Sequence, residues 1–266
     1  MLAAYIPERF GYDNIVKFLS EMAKNGFRGP HEDGCGALLL TPLKKPIVYK
    51  TLSPAHTHVN EFIQLIKAFN PIFIIMHARK GSRGPNTIEN VHPFVSNRAY
   101  LFHNGTLHER AIEYAKKELK VKNRMSSTDS ELLLHIYNEY GENTLVEFLL
   151  LHQTFMKDFS GRKMGSNIFI FDEKSNLFVI YHNVLKDEFF HENETAIEDR
   201  RYFDLFSYKL DESWIVSSES PKINTKLNVN STIKDSEIPF ERFIDNHYVK
   251  SYKKGSLEVK VIKIEL

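Results

Sequence analysis

The 266-residue chain predicts sheet layers covered by helices within one domain, and three observations carry that prediction. Short apolar β-runs precede a block of helical periodicity, and β-runs return after it, the order expected when helices pack on sheets rather than among them. With 42% apolar residues, including 20 Phe and 12 Tyr, the chain can fill a sizeable core. The later part is rich in alternating segments and free of internal repeats.

The elements follow in order. Met1–Ile6 is an apolar run ending at Pro7, read as a strand that opens the chain. From Tyr12 to Lys24, Ile15, Val16, Phe18, Leu19 and Met22 keep helical spacing, and Gly26 stops it. Ala37–Leu40 and Ile47–Tyr49 read as strands punctuated by Pro42 and Pro46, and Val59–Phe69 returns to helical periodicity. Strands follow at Ile72–His77 and Ala99–His103. Between them lies the polar, glycine-rich loop Gly81-Ser82-Arg83-Gly84-Pro85-Asn86, of the kind that carries function on a rigid scaffold. Glu109–Leu119, Asp129–Tyr140 and Thr144–Phe159 read as helices; Thr128 and Glu131 form a capping-box pattern at the start of the second. Asn167–Phe171 and Leu177–Tyr181 bracket a hairpin loop, and alternation recurs at Trp214–Val216 and Leu257–Ile264. Residues Leu185–Arg201 are rich in Glu and Asp, offer little apolar surface and read as a mobile insertion.

Charge and cysteine content narrow the function classes. Lys+Arg 35 against Asp+Glu 34 leaves +1, so the global field gives no argument for nucleic acid or an anionic membrane. The single cysteine, Cys35, rules out an internal disulfide and a cysteine-rich zinc site, and fits a reducing cytoplasmic compartment. No apolar stretch approaches the ~20 residues that cross a bilayer, and no signal peptide is visible.

Five segments stand out: His31-Glu32-Asp33-Gly34-Cys35-Gly36, His77-Ala78-Arg79-Lys80, Glu89-Asn90-Val91-His92-Pro93-Phe94, His103-Asn104-Gly105-Thr106 and Ser127-Thr128-Asp129-Ser130-Glu131. Each alone has a plain structural explanation: a turn at Asn104-Gly105, a strand-end surface charge at Arg79, a helix-dipole partner at Asp129. Taken in order, they resemble the class II glutamine amidotransferases, the N-terminal-nucleophile family, especially stand-alone members with a His-Pro-Asp-Gly-Trp-Gly loop. The resemblance runs from the N-terminus to about Glu131, with looser echoes at Asn167–Phe171 and Trp214–Pro221.

That resemblance implies an α+β fold, a four-layer α/β/β/α sandwich of two antiparallel sheets, formed by residues 1–266 as a single glutamine amidotransferase type-2 domain. It also implies hydrolysis of the side-chain amide of glutamine, or of a related γ-glutamyl amide, to glutamate and ammonia, with no cofactor. Amide hydrolysis passes through a tetrahedral oxyanion, and the family's hole pairs an Asn side-chain amide with a Gly backbone N–H, here Asn104 and Gly105. Free glutamine carries a carboxylate and an ammonium. The resemblance assigns these to Arg79, whose guanidinium grips a carboxylate in bidentate fashion, and to Asp129. His77 and His92 are expected to support the pocket by hydrogen bonding, and Arg83 and Gly84 to sit in the loop that closes near the substrate. Lys80 replaces the aromatic residue common after the arginine and is left outside the site.

One part is missing. The family's nucleophile is a cysteine at the mature N-terminus, its own α-amine serving as base, whereas position 2 here is Leu2. Cys35 stands where the family loop has Trp, has no α-amine beside it, and reads as a small packing residue. Relatives often begin Met-Cys-Arg followed by Leu-Leu or Met-Leu, so Met1-Leu2-Ala3 matches the fourth residue onward. A start assigned three residues late is the favoured explanation. The alternative is a catalytically degenerate member serving as a glutamine-binding sensor or scaffold. A second alternative from another class is a metal hydrolase built on His56, His58, His77, His92 and His103 with Asp33 or Asp129. The rest of the chain shows no Gly-x-x-x-x-Gly-Lys loop, so the ammonia is expected to go to a separate synthetase or transferase subunit or to be released.

Overall fold

The computed structural model describes residues 1–6, 12–25, 30–43, 45–122, 125–157, 165–184, 204–210, 213–218, 237–238 and 248–265. The acidic segment 185–201, expected to be a mobile insertion, lies outside them, as do Phe159 and residues 219–221.

β1 (Leu2–Tyr5), β2 (Cys35–Leu40), β3 (Pro46–Thr51) and β4 (Phe73–Ala78) join three later strands, β9 (Phe206–Leu210), β10 (Ser213–Ser217) and β11 (Glu237–Ile238). Their order is β11-β9-β10-β1-β4-β2-β3, antiparallel throughout. β5 (Phe94–Val95), β6 (Ala99–Gly105), β7 (Gly165–Asp172), β8 (Leu177–Val184), β12 (Tyr248–Lys254) and β13 (Leu257–Lys263) form the second antiparallel sheet, in the order β12-β13-β8-β7-β6-β5.

Strand alternation sorts the side chains into three cores. Phe73 and Ile75 of β4, Leu38 and Leu40 of β2, and Phe102, Phe169, Phe171, Phe178 and Trp214 fill the space between the sheets. Opposite faces carry Ile74, Met76, Ala37 and Leu39 against α1 (Tyr12–Asn25) and α2 (Val59–Phe69). On the far side Leu101, Ile168, Ile170 and Val259 pack on α3 (Glu109–Lys117) and α4 (Ser130–Lys157). The result is the expected α/β/β/α sandwich. No helix among the described residues is long and apolar enough to cross a membrane.

The two helices read from 129 to 159 are present within α4, meeting at a kink where Gly141 takes φ 86°, a conformation no helix residue adopts. Glu131 reaches further back than a capping box requires. Its carboxylate accepts from the backbone amides of Met125 (3.0 Å) and Ser126 (2.8 Å), so it ties down the whole entry turn of α4.

Candidate functional site

A cavity of about 230 Å³ opens where the two sheets meet, at the C-terminal ends of β4 and β6. His77 continues the between-sheet row of Phe73 and Ile75, and Asn104 continues that of Tyr100 and Phe102, so alternation alone brings both to the mouth of the cleft. Asp129 and Ser130 arrive from the start of α4 and His31 from the approach to β2. Seven of the eight residues expected in the site line this one cavity, Arg79, Asp129, Asn104, Gly105, His77, His92 and Arg83; the eighth, Gly84, does not line it and packs against Asn90 and Ser127 instead. Lys80, left out on sequence grounds, lines it too.

Arg79 is buried. Its guanidinium donates to the carbonyl of Arg83 (3.1 Å) and to Oδ1 of Asn86 (3.4 Å), beneath Gly81, where an added Cβ would meet a guanidinium nitrogen at 2.8 Å. Burial lowers its pKa, and the nearby Asp33 raises it. Asp33 in turn accepts from the Gly81 amide at 2.7 Å, fastening the glycine-rich loop to the β2 approach. Asp129 Oδ2 accepts from the Leu107 amide at 2.5 Å. Burial raises the carboxyl's pKa, while that bond, the charge of Arg83 and the helix-start amides of Asp129 and Ser130 oppose the rise. The structural role expected for an acid in a helix's first turn is therefore fulfilled alongside its place in the cleft.

Gly105 has φ +153°, and a Cβ there would meet the Gly165 carbonyl oxygen and His103 Nε2, each at 2.8 Å, so only glycine fits. Behind it His103 is fixed at both ends, Nδ1 to Ser130 Oγ (2.9 Å) and Nε2 to Ser166 Oγ (2.7 Å). Burial holds its pKa down at about 3, so it is a neutral strut between β6, β7 and α4. Gly36 of the loop that resembles Asp-Gly-Trp-Gly is needed for a close approach: a Cβ there would lie 1.9 Å from the His92 carbonyl oxygen.

The histidines depart from expectation. His77 and His92 meet through their rings, centroids 4.2 Å apart, and neither His92 ring nitrogen has a hydrogen-bond partner among the described residues. Support comes from packing against Phe94 and Phe102 instead. Burial first, then neighbouring positive charge including the Met1 amine, keeps both imidazoles neutral and lowers His31 to about 4. That amine donates to Ser218 Oγ at 3.0 Å, and Leu2 stands in register with Met76, so the start of β1 enters beside the His77 corner. Cys35 lies on the helix-facing side of β2, its thiol buried and pushed up to about 12. Among the described residues no three His, Cys, Asp or Glu side chains converge as metal ligands, which leaves the metal-hydrolase reading without a donor set.

Asn90 has no role that its sequence discloses, and it is nearly sealed at 1% exposure. Its amide donates to the Pro85 carbonyl (2.8 Å) and Ser127 Oγ (3.1 Å), and its Oδ1 accepts from the Ser127 amide (2.9 Å), joining the glycine-rich loop to the α4 entry. Ser82 Oγ and Thr106 Oγ1, 2.9 Å apart, join the same loop to the Asn104-Gly105 corner. The only hint in sequence is that Asn90, Thr106 and Ser127 fall inside the five distinctive segments.

An arginine, an acid and an Asn-Gly corner thus frame one between-sheet cleft. Residues 11–181 match the model of the family described as glutamine amidotransferases class-II, and the chain belongs to that family. It is 26% identical over 162 residues to a glutamine–fructose-6-phosphate aminotransferase (isomerizing) of Bacteroides thetaiotaomicron, a match covering 60% of this chain and 25% of that protein. The glutamine phosphoribosylpyrophosphate amidotransferase from B. subtilis, solved with ADP and GMP, superposes with a TM-score of 0.52 at 17% identity over 86% of this chain and 43% of that one. The chain thus spans a quarter to under half of the length of these relatives, and the second likeness concerns the fold alone.

Proposed function

We propose that this chain is a glutaminase that hydrolyses the side-chain amide of glutamine, or of a related γ-glutamyl amide, to glutamate and ammonia, once a cysteine precedes Met1. The observation that carries the reading is the gathering of Arg79, Asp129 and the Asn104-Gly105 corner on one cavity. Arg79 takes the α-carboxylate and Asp129 the α-ammonium, leaving the side-chain amide to extend toward Asn104. A thiolate attacks the amide carbon, and the electrons displaced onto oxygen are held by the Asn104 side-chain amide and the Gly105 N–H. The α-amine that took the thiol proton delivers it to the leaving nitrogen, ammonia departs, and water cleaves the remaining thioester.

The start of β1 supports this reading, because Leu2 pairs with Met76 and residues placed ahead of Met1 would run on alongside His77 and Ala78 at the cleft wall. The ammonia goes to a separate synthetase or transferase subunit or is released, and the buried lone thiol fits a reducing cytoplasm. A chain carrying Met-Cys-Arg ahead of Met1 should release ammonia from L-glutamine. No release from that chain, when it is folded and binds glutamine, would overturn the glutaminase reading. The sensor or scaffold reading, which takes Leu2 as standing in the nucleophile's place, predicts glutamine binding without turnover in both chains.

A further inference from the structure

Arg83 occupies a position that the proposed glutamine pocket does not explain, and the role assigned to it below depends on that pocket being correct. Its guanidinium is shared between two carboxylates of unequal depth. Nη2 lies 2.7 Å from Oε1 of Glu109, whose side chain is 69% exposed in the first turn of α3, and Nε lies 3.7 Å from Oδ2 of the buried Asp129. Nη2 also donates to the Leu107 carbonyl at 3.3 Å. A cation of the protein itself therefore stands against the acid that an α-ammonium would need.

The loop holds it there. The Arg83 carbonyl accepts from Arg79 Nη2, and Ser82 bonds to Thr106 on one side. On the other side Gly84 takes φ +74°, and a Cβ there would meet Ser127 Oγ at 2.7 Å and Asn90 Nδ2 at 2.9 Å. With its backbone pinned on both sides, Arg83 can exchange partners only by moving its side chain. The two bonds differ in kind: the contact to Glu109 is a close ion pair, whereas Nε is buried without a hydrogen bond and meets Asp129 only at longer range. A primary ammonium is smaller and can approach a carboxylate to roughly 2.8 Å, so it can take the Asp129 side of this arrangement while Glu109 retains the guanidinium.

We propose that Arg83 is a specificity-determining placeholder: it offsets the charge of Asp129 before substrate arrives and, kept by its closer partner Glu109, gives up the Asp129 side when a substrate α-ammonium takes its place. Binding an amino acid then includes the displacement of Arg83. Binding a ligand with the carboxylate and amide but no amine does not. Arg83 narrows the preference for a zwitterion, and Glu109 widens it by holding the displaced cation.

The test measures dissociation constants by ligand-dependent thermal shift on the full chain, for L-glutamine and for its des-amino counterpart glutaramate. The proteins are the wild type, R83M, R83Q, E109Q and R83M/E109Q. Both Arg83 variants should bind glutamine about fivefold more tightly, the scale of a half-exposed ion pair, and gain nothing for glutaramate. E109Q should weaken glutamine by a similar factor, and the double variant should behave like R83M, because Glu109 acts only through Arg83. Equal weakening of both ligands in R83M and R83Q, or an E109Q effect that persists without Arg83, would overturn the placeholder role while leaving the pocket reading standing. If the wild type and every variant bind neither ligand, the pocket reading falls and this inference falls with it.

Discussion

Asn90→Ala should detach the glycine-rich loop from the helix that supplies Asp129. The side chain makes contacts of 2.8, 2.9 and 3.1 Å to Pro85 and Ser127, and a fourth of 3.3 Å from Ser127 Oγ. A buried hydrogen bond contributes about 1 kcal/mol net, and a donor or acceptor left dry costs ~1–3 kcal/mol. Pro85 and Ser127 are exposed, so water replaces part of what is lost and the figure belongs near the low end. We expect a loss of about 1–2 kcal/mol in urea unfolding with an unchanged slope, together with a weaker glutamine-induced thermal shift. The second effect arises because the carbonyl that holds Arg79 belongs to this loop. A variant with wild-type stability and wild-type glutamine response would show that Asn90 does not organise the cleft.

Gly105→Ala places a Cβ 2.8 Å from two fixed atoms at a φ hostile to L-residues, and should cost roughly 1–3 kcal/mol of stability and abolish ammonia release in the Cys-bearing chain; a stable, active variant would refute the geometry of the corner. Stability should fall on acidification: His31, His103 and His152 have folded-state pKa values lowered to about 4, 3 and 4, chiefly by burial, below an unfolded value near 6.5. The folded state thus binds fewer protons, so their contribution is intact above about pH 6.5 and is lost as pH falls toward 4, at ~1.4 kcal/mol per pH unit for each proton. Urea midpoints that stay flat between pH 7 and 5 would contradict this. Cys35 should react with a disulfide reagent at least ~100-fold more slowly in the native protein than in urea, as befits a buried thiol pushed up to about 12; fast native labelling would place it at the surface.

The helices on the outer layers were readable because each buries one stripe, and Val59–Phe69 emerges with the limits its periodicity predicted. β4 was equally clear, a six-residue apolar run buried on both faces. β9 and β12 were not legible. β12 is an edge strand, Tyr-Val-Lys-Ser-Tyr-Lys-Lys, whose lysines suit solvent and conceal any alternation. Periodicity suggested covered sheets, but the four-layer arrangement itself came from the family resemblance. In the site, the residues with distinctive chemistry could be named from their order. Their attachments could not, since Asn90 and Ser127 are 37 residues apart and nothing in either segment announces the pairing. The partner of Arg83 on Asp129 is hidden for the same reason: it arises where β4's loop folds over α4, a long-range coincidence with no periodic signature.

β1 lies inside its sheet between β4 and β10, so a strand made early is completed by one made more than 200 residues later. During synthesis its outer hydrogen-bonding edge must wait until Ser213–Ser217 emerges, a long loop closure that slows assembly and exposes an apolar strand to self-association. Shortened versions that stop at Tyr181, where the family match ends, would omit β10 and β13 together and leave both sheets unfinished. Anyone trimming this protein for crystallisation or fusing it to a reporter should therefore keep the C-terminal strands, whose described residues do not line the cavity but close the scaffold that shapes it.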